Sequence, residues 1–280
     1  MAVQNASLFP SPKFKTLQTG NIQILEGANL ERYLTGFTEE DRRQARELWR
    51  KYAPLPDLID FGANDPTRRA SGRRLFGYDG GVYFERFPNG SERKIPDSSI
   101  RLYVDKFSME IQKLQRQLMT DMLNGVLSPQ DWYNESIRLM KLSYLAIVMI
   151  AQGESNEFDD QEESRWLLLI LLFFLLHNEL VKGIISGRIP LNGKLPIYAG
   201  LRGSQIVTIY EDFRYHEMID EGKTEARRRL AIAEHCEPSD EKYGCVQLSD
   251  RGWMPIHNMI PIGDSRVTCG KFCKCRIEYR

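Results

Sequence analysis

The residues of this chain best suited to chemistry are its five cysteines, Cys236, Cys245, Cys269, Cys273 and Cys275, all close to the C-terminus. His235 and His257 lie among them, so the metal-binding side-chain types gather in a loop-rich stretch with little apolar sequence of its own. A segment that poor in core-forming residues needs another source of order, and a metal or a disulfide staple is the usual one. Zinc takes four thiolate or imidazole ligands in a tetrahedron, commonly as two short-spaced pairs. Cys269, Cys273 and Cys275, spaced Cys-x-x-x-Cys-x-Cys, suit one such knuckle, whereas Cys236 and Cys245 enclose Glu237 to Gly244, wider than the usual spacing. Disulfide or mixed pairing, and buried thiols without a ligand, are the alternatives.

Met1 to Gly20 is polar, interrupted by Phe9, Pro10 and Pro12, and reads as no export signal. Thiols that stay in a reducing compartment favour metal over disulfides. A thiolate-rich set also suits a closed structural site better than a catalytic zinc with an open position. The expectation is a structural zinc bound by four of the five cysteines and two histidines.

Other chemistry is sparse. The sequence has no glycine-rich phosphate loop, no Gly-x-Ser-x-Gly elbow and no His-Glu-x-x-His helix. The acidic pairs Asp159-Asp160 and Glu162-Glu163 fall in a hydrophilic stretch where water relieves their repulsion. His177 and His216 stand alone on helical stretches, where a hydrogen-bonded core or boundary histidine is the ordinary reading. Glu211 and Glu217 each lie three residues from Arg214 and suit helical-surface ion pairs. The chain reads as no enzyme.

The elements that would position the cysteines are mostly helical. Lys plus Arg equals Asp plus Glu at 38 each, so any attraction to nucleic acid or an acidic membrane must come from a local patch. Residues 1–28 read as an extended arm, with a short alternation at Asn21 to Leu25 suited to an edge strand or to an arm ordered on a partner. Residues 29–96 combine a helix with a β-excursion. Thr38-Glu39-Glu40-Asp41 has the form of a capping box, and Pro54 and Pro56 stop the helix it opens. Leu75 to Phe84 suits a β-hairpin turning at Asp79-Gly80-Gly81, and Asn89-Gly90 offers a second turn. Arg68, Arg69, Arg73 and Arg74 form a cationic cluster just before it.

Residues 97–230 carry the helical core. Asp97-Ser98-Ser99 is placed to cap a helix running to about Asn124, with Gly125 ending it, and Ser128-Pro129-Gln130-Asp131 opens the next. An acidic loop is expected over Gly153 to Glu163, then a buried core helix from Trp166 to Ile185. Its apolar run, Leu167 to Leu176, is shorter than the roughly 20 residues a membrane span needs. A further helix over Ile197 to Met218 leads into Arg227-Arg228-Arg229-Leu230. Residues 231–280 form the cysteine-rich tail. The fold class expected is mainly α: a helical bundle with a small β-hairpin excursion and a zinc-clasped β/loop tail.

The tail resembles the C-terminal segment of Mu-type minor head (head morphogenesis) proteins of tailed phages. The likeness rests on Arg228-Arg229-Leu230-Ala231-Ile232-Ala233-Glu234-His235-Cys236, Gly252-Trp253-Met254-Pro255, Ile260-Pro261-Ile262-Gly263 and the stretch from Cys269 to Tyr279. It extends to Gly125-Val126-Leu127-Ser128 with Trp132, and to Tyr83 to Pro96, similar to the family's strand–Asn-Gly–strand element. The family places its first two cysteines as Cys-x-x-Cys, so Cys245 departs furthest from the pattern. A longer loop can still bring both sulfurs to one metal, because closure entropy grows slowly with length.

The resemblance implies a structural virion component near the portal vertex, assembled in the bacterial host cytoplasm. Its implied partners are portal or capsid proteins, in several copies, with room for a contact with packaged DNA and none with a membrane. A zinc-stabilised nucleic-acid-binding protein is the second reading. It rests on Arg68 to Arg74, Arg227 to Arg229, and Lys271, Lys274 and Arg276. A tail-cysteine enzyme, as a metal-dependent hydrolase or thiol redox protein, is the third.

Overall fold

The computed structural model describes residues 22–34, 37–52, 75–79, 82–86, 89–152, 160–230, 236–239, 241–262, 264, 266–269, 273 and 275–280. The described part is mainly helical, with two small antiparallel sheets and a cysteine-rich C-terminal region. Helices α1 (Gly27–Leu34) and α2 (Glu39–Tyr52) come first. A meander of β1 (Leu75–Asp79), β2 (Val82–Arg86) and β3 (Glu92–Ile95) follows. Four long helices then form the bundle: α3 (Asp97–Leu123), α4 (Pro129–Ala151), α5 (Asp160–Ile185) and α6 (Leu195–Asp220). The tail contains β4 (Glu225–Arg229), the short α7 (Cys245–Asp250), β5 (Met254–Pro255), a 3-10 turn at Ile256–Asn258 and β6 (Arg276–Tyr279).

Local chemistry explains two of the helix starts. At α2 the Thr38 hydroxyl accepts from the Asp41 amide at 3.1 Å and the Asp41 carboxylate accepts from the Thr38 amide at 3.0 Å, the reciprocal exchange of a capping box. Ser128 caps α4 by accepting from the Asp131 amide at 3.0 Å, and its hydroxyl donates to the Asp131 carboxylate at 2.6 Å. Helix α3 differs from expectation: Asp97 is its first residue, and Pro96 occupies the cap position with no side-chain cap bond. The acidic stretch is also shorter than expected, because α5 begins at Asp160. In the meander Asp79 pairs with Val82, while Gly80 and Gly81 lie outside the described residues, and Gly90 takes a left-handed φ of 80° at the second turn. Arg68, Arg69, Arg73 and Arg74 lie outside the described residues.

Helices α3 and α6 lie against each other along much of their length, and glycine sets their closeness. A Cβ on Gly203 would stand 2.5 Å from the Gln112 backbone nitrogen, so the helices meet backbone to backbone. The Ser108 hydroxyl donates to the Gly203 carbonyl at 2.9 Å across the same contact. Around this pair a single core gathers Trp49, Tyr83, Phe107, Trp132, Tyr144 and Phe174. Buried polar groups in it are cross-linked: the Tyr144 hydroxyl donates to Gln205 at 2.6 Å and Ser136 to Gln115 at 2.7 Å. The Tyr83 hydroxyl ties the meander to the end of α4 by donating to the Ala151 carbonyl at 2.9 Å.

Residues 1–21 of the expected arm lie outside the described residues, and the described part, residues 22–26, forms no strand. It lies against α4 and α5: the Leu25 amide donates to the Tyr133 hydroxyl at 2.9 Å, and Asn178 donates to the Leu25 carbonyl at 2.7 Å. The segment thus orders on the chain's own helices. Helix α5 is less buried than a core helix. Within it Leu167–Ile185 is long and apolar enough by composition to cross a membrane, but half of that stretch is buried in the bundle and Leu168, Leu172 and Leu175 face outward.

His177, on the buried side of α5, is completely enclosed. Its ring stacks on Tyr133 at 6.0 Å, lies 5.8 Å from Trp132, and neither nitrogen has a hydrogen-bond partner. Burial, reinforced by the Arg202 charge, lowers its pKa to about 3. The unfolded chain therefore takes up a proton below about pH 6.5 that the folded chain refuses, and stability falls as pH drops from there toward 3. Between pH 7 and pH 5 the wild type should lose about 2 kcal/mol that a His177→Phe variant keeps. Parallel urea unfolding of both proteins at the two pH values measures this, since titration of the thiols is common to both and cancels.

Candidate metal centre

Helix α6 ends at Asp220, and Gly222, with φ of 78°, turns the chain straight into β4. β4 is the centre of the second sheet, pairing with β5 on one side and with β6 on the other, Arg228 opposite Ile277. A second apolar cluster forms under this sheet from Met218, Ala226, Leu248, Met259, Ile260, Ile262, Val267 and Ile277, and Cys245, Cys273 and Cys275 are buried in it. The tail joins the bundle through α6 and α3. The Tyr215 hydroxyl donates to the Ile256 carbonyl at 3.5 Å, and Arg101 donates to the Cys275 carbonyl at 3.5 Å.

All five cysteines converge. The Cys236 and Cys245 sulfurs are 2.9 Å apart, and those of Cys245 and Cys269 are 3.5 Å apart. Two thiol groups have all their sulfurs within 4.8 Å of one another: Cys236, Cys245 and Cys269, and Cys245, Cys273 and Cys275. Cys245, the residue furthest from the family spacing, is the one shared by both groups. The wide gap before it is closed by a small folded loop, in which Ser239 and Lys242 exchange backbone bonds and the Cys245 amide donates to the Cys236 carbonyl at 3.1 Å.

Gly244 makes that closure possible. A Cβ there would stand 2.7 Å from the Pro238 nitrogen and 2.8 Å from the Cys236 carbonyl oxygen. His257 is exposed on the 3-10 turn and belongs to neither thiol group, and His235 lies outside the described residues.

Arg228 completes the site and overturns its reading as part of a basic patch. It is 1% exposed, donates to the Cys273 sulfur at 3.2 Å and to the Ile260 carbonyl at 2.6 Å, and thereby ties β4 to the loop before the last cysteines. Its neighbours on the strand are engaged too: Arg227 and Arg229 both pair with Glu278, at 2.7 and 3.1 Å. Trp253 lies under the guanidinium groups of Arg227 and Arg280, 4.6 and 4.4 Å from its ring centre. The expected surface pairing of Glu211 with Arg214 is also replaced. Both residues are buried, and Glu211 meets Arg101 of α3 in an ion pair.

The electrostatics favour a cation among the sulfurs. Contacts from Cys269 and Cys275, with the Arg228 guanidinium, hold the Cys273 thiol down at about 2, and the same contacts push the Cys269 and Cys275 thiols well above the ordinary thiol value. Thiols this close cannot all ionise beside one another unless a cation lies between them. The donor set is soft, largely buried and free of carboxylates, which suits a thiophilic ion. These cysteines can hold a metal ion. Comparison with protein-family models, with curated proteins and with solved structures gave no match.

A Gly244→Ala variant should bind metal roughly 10–100-fold more weakly, the range for losing a group that orients ligands. Competition with a chromophoric chelator reads the change. Unaltered affinity would mean that the Cys236–Pro238 backbone moves aside at no cost.

Proposed function

We propose that this chain is a structural, non-catalytic component of a tailed-phage virion, a portal-proximal minor head protein that aids head assembly, with its tail clasped by zinc. The observation that carries the reading is the convergence of the segments on which the family likeness rests. Arg228, Ile260-Pro261 and Cys273 meet through one guanidinium, Gly252-Trp253-Met254-Pro255 supplies β5 and the ring beneath Arg227, and the five cysteines fall into two groups of sulfurs that share Cys245. Motifs scattered along the tail thus act as one unit.

Zinc fits the donor set. A Zn–S bond of about 2.3 Å places the sulfurs of a tetrahedral site roughly 3.8 Å apart, near the 2.9 and 3.5 Å separations and the 4.8 Å limit of each thiol group. One ion would take Cys245 with three of Cys236, Cys269, Cys273 and Cys275. Four thiolates around a dication leave net negative charge, which the buried Arg228 partly offsets. Bound there, zinc would supply folding energy to a segment with a small core. Of the cations behind the nucleic-acid reading, Arg228 is buried and Arg227 and Arg229 pair with Glu278, while Arg68 to Arg74, Lys271 and Lys274 lie outside the described residues.

Elemental analysis of the purified chain should give one zinc per molecule, and chelation should lower Tm by at least ~10 °C. Zinc far below stoichiometry, with Tm indifferent to chelator, would remove the clasp. Co-expression with a portal protein from the same phage should give a co-eluting complex. Strictly separate elution, together with absence of the chain from purified virions, would remove the head-protein reading.

A further inference from the structure

At the start of α6, the opposite end from the cysteine sheet, the bundle opens into a pocket of about 560 Å³. Its walls include the apolar Leu180 and Ile189, the ring of Tyr198, and three cations, Arg188, Lys194 and Arg202. The volume lies within the range of small-molecule sites. The walls are built and fixed. Gly187 takes a φ of 71°, the Ile189 amide donates back to the Gly183 carbonyl at 2.8 Å, and a Cβ on Gly183 would collide with Ile189 at 2.6 Å.

Arg202 is the decisive residue. It is only 9% exposed, its Nη2 donates to the Leu176 carbonyl at 3.1 Å, and its Nε is buried with no acceptor. Among the described residues no carboxylate lies within ion-pair distance of Arg202 or Lys194. Glu179 stands 3.9 Å from Arg188 and 3.1 Å from Lys182. A buried guanidinium without a counter-ion is costly, and an anion supplied from outside removes that cost. The positive end of the α6 dipole adds to the field. Free amides do not contribute: Pro196 has none, and the Leu195 and Ile197 amides donate to the Asn192 and Lys194 carbonyls.

We propose that this pocket binds a small oxyanion, a phosphate or carboxylate group carried on an apolar or aromatic body. Arg202 and Lys194 supply the positive charge that holds the oxygens. Leu180, Ile189 and Tyr198 cover the body. Neither the zinc clasp nor the virion role is needed for this binding.

Calorimetric titration of the full, metal-loaded chain at fixed ionic strength tests it, with inorganic phosphate, phenyl phosphate and benzoate as probes. One saturable site is expected, with phenyl phosphate or benzoate at least tenfold tighter than inorganic phosphate because the apolar walls add to the grip. Which of the two organic probes binds tighter assigns the anion as phosphate or carboxylate. Arg202→Gln should weaken binding at least tenfold, and Lys194→Ala, at the exposed rim and safe for folding, about threefold or more. No saturation by any probe up to ~10 mM, or curves unchanged in Lys194→Ala, would overturn the proposal.

Discussion

The tail depends on one guanidinium and the sulfur beside it. Arg228 lies on the central strand of a three-stranded sheet, and from there it reaches both the Ile260-Pro261 backbone and Cys273. Those are the points at which the loops between β5 and β6 would otherwise come away from the sheet. A fully buried positive charge is tolerable only where donors and negative charge are matched closely. The carbonyls and the sulfur group provide that match. In this respect the tail resembles small domains whose interior is a charged, ligand-built knot with a thin layer of apolar side chains around it.

The rest of the molecule is organised differently. Its bundle has a large aromatic core with a few cross-linked polar groups, and it needs no clasp. The two halves share α6, whose outer turn contributes Met218 to the tail cluster and whose middle contributes Ile206, Ile209 and Phe213 to the bundle. Arg101 strengthens the junction, since it pairs with Glu211 and also donates to the Cys275 carbonyl. A residue of the bundle therefore contacts the backbone of a cysteine in the thiol group.

Much of this was legible in sequence because it is decided locally. Thr38 with Asp41 and Ser128 with Asp131 announce helix starts three residues apart, and the glycines at 90 and 125 mark turns by their backbone freedom alone. The cysteines announced a cluster of sulfurs by composition. What stayed hidden depends on distant partners. Arg228 looks like one member of a basic run until the Ile260 carbonyl and Cys273, more than thirty residues away, enclose it. Glu211 looks suited to Arg214 until Arg101 takes it on the facing helix. Cys245 looked misplaced because spacing rules assume a tight knuckle, whereas here Gly244 lets a longer loop fold back on itself. Arg202 gave no signal at all, since only the packing of α5 against α6 leaves it with no carboxylate in reach among the described residues.

The contact at Gly203 has a mechanical consequence. With no side chain between the backbones of α3 and α6, the two helices are in register in the sense that gear teeth are. Sliding α6 by about one turn would bring a residue of the same face, Ile206 or Val207, onto the Gln112 backbone. The pair therefore resists shear in discrete steps and cannot creep. The helix that carries Arg202 at one end and leads into the cysteine sheet at the other acts as a strut of fixed length.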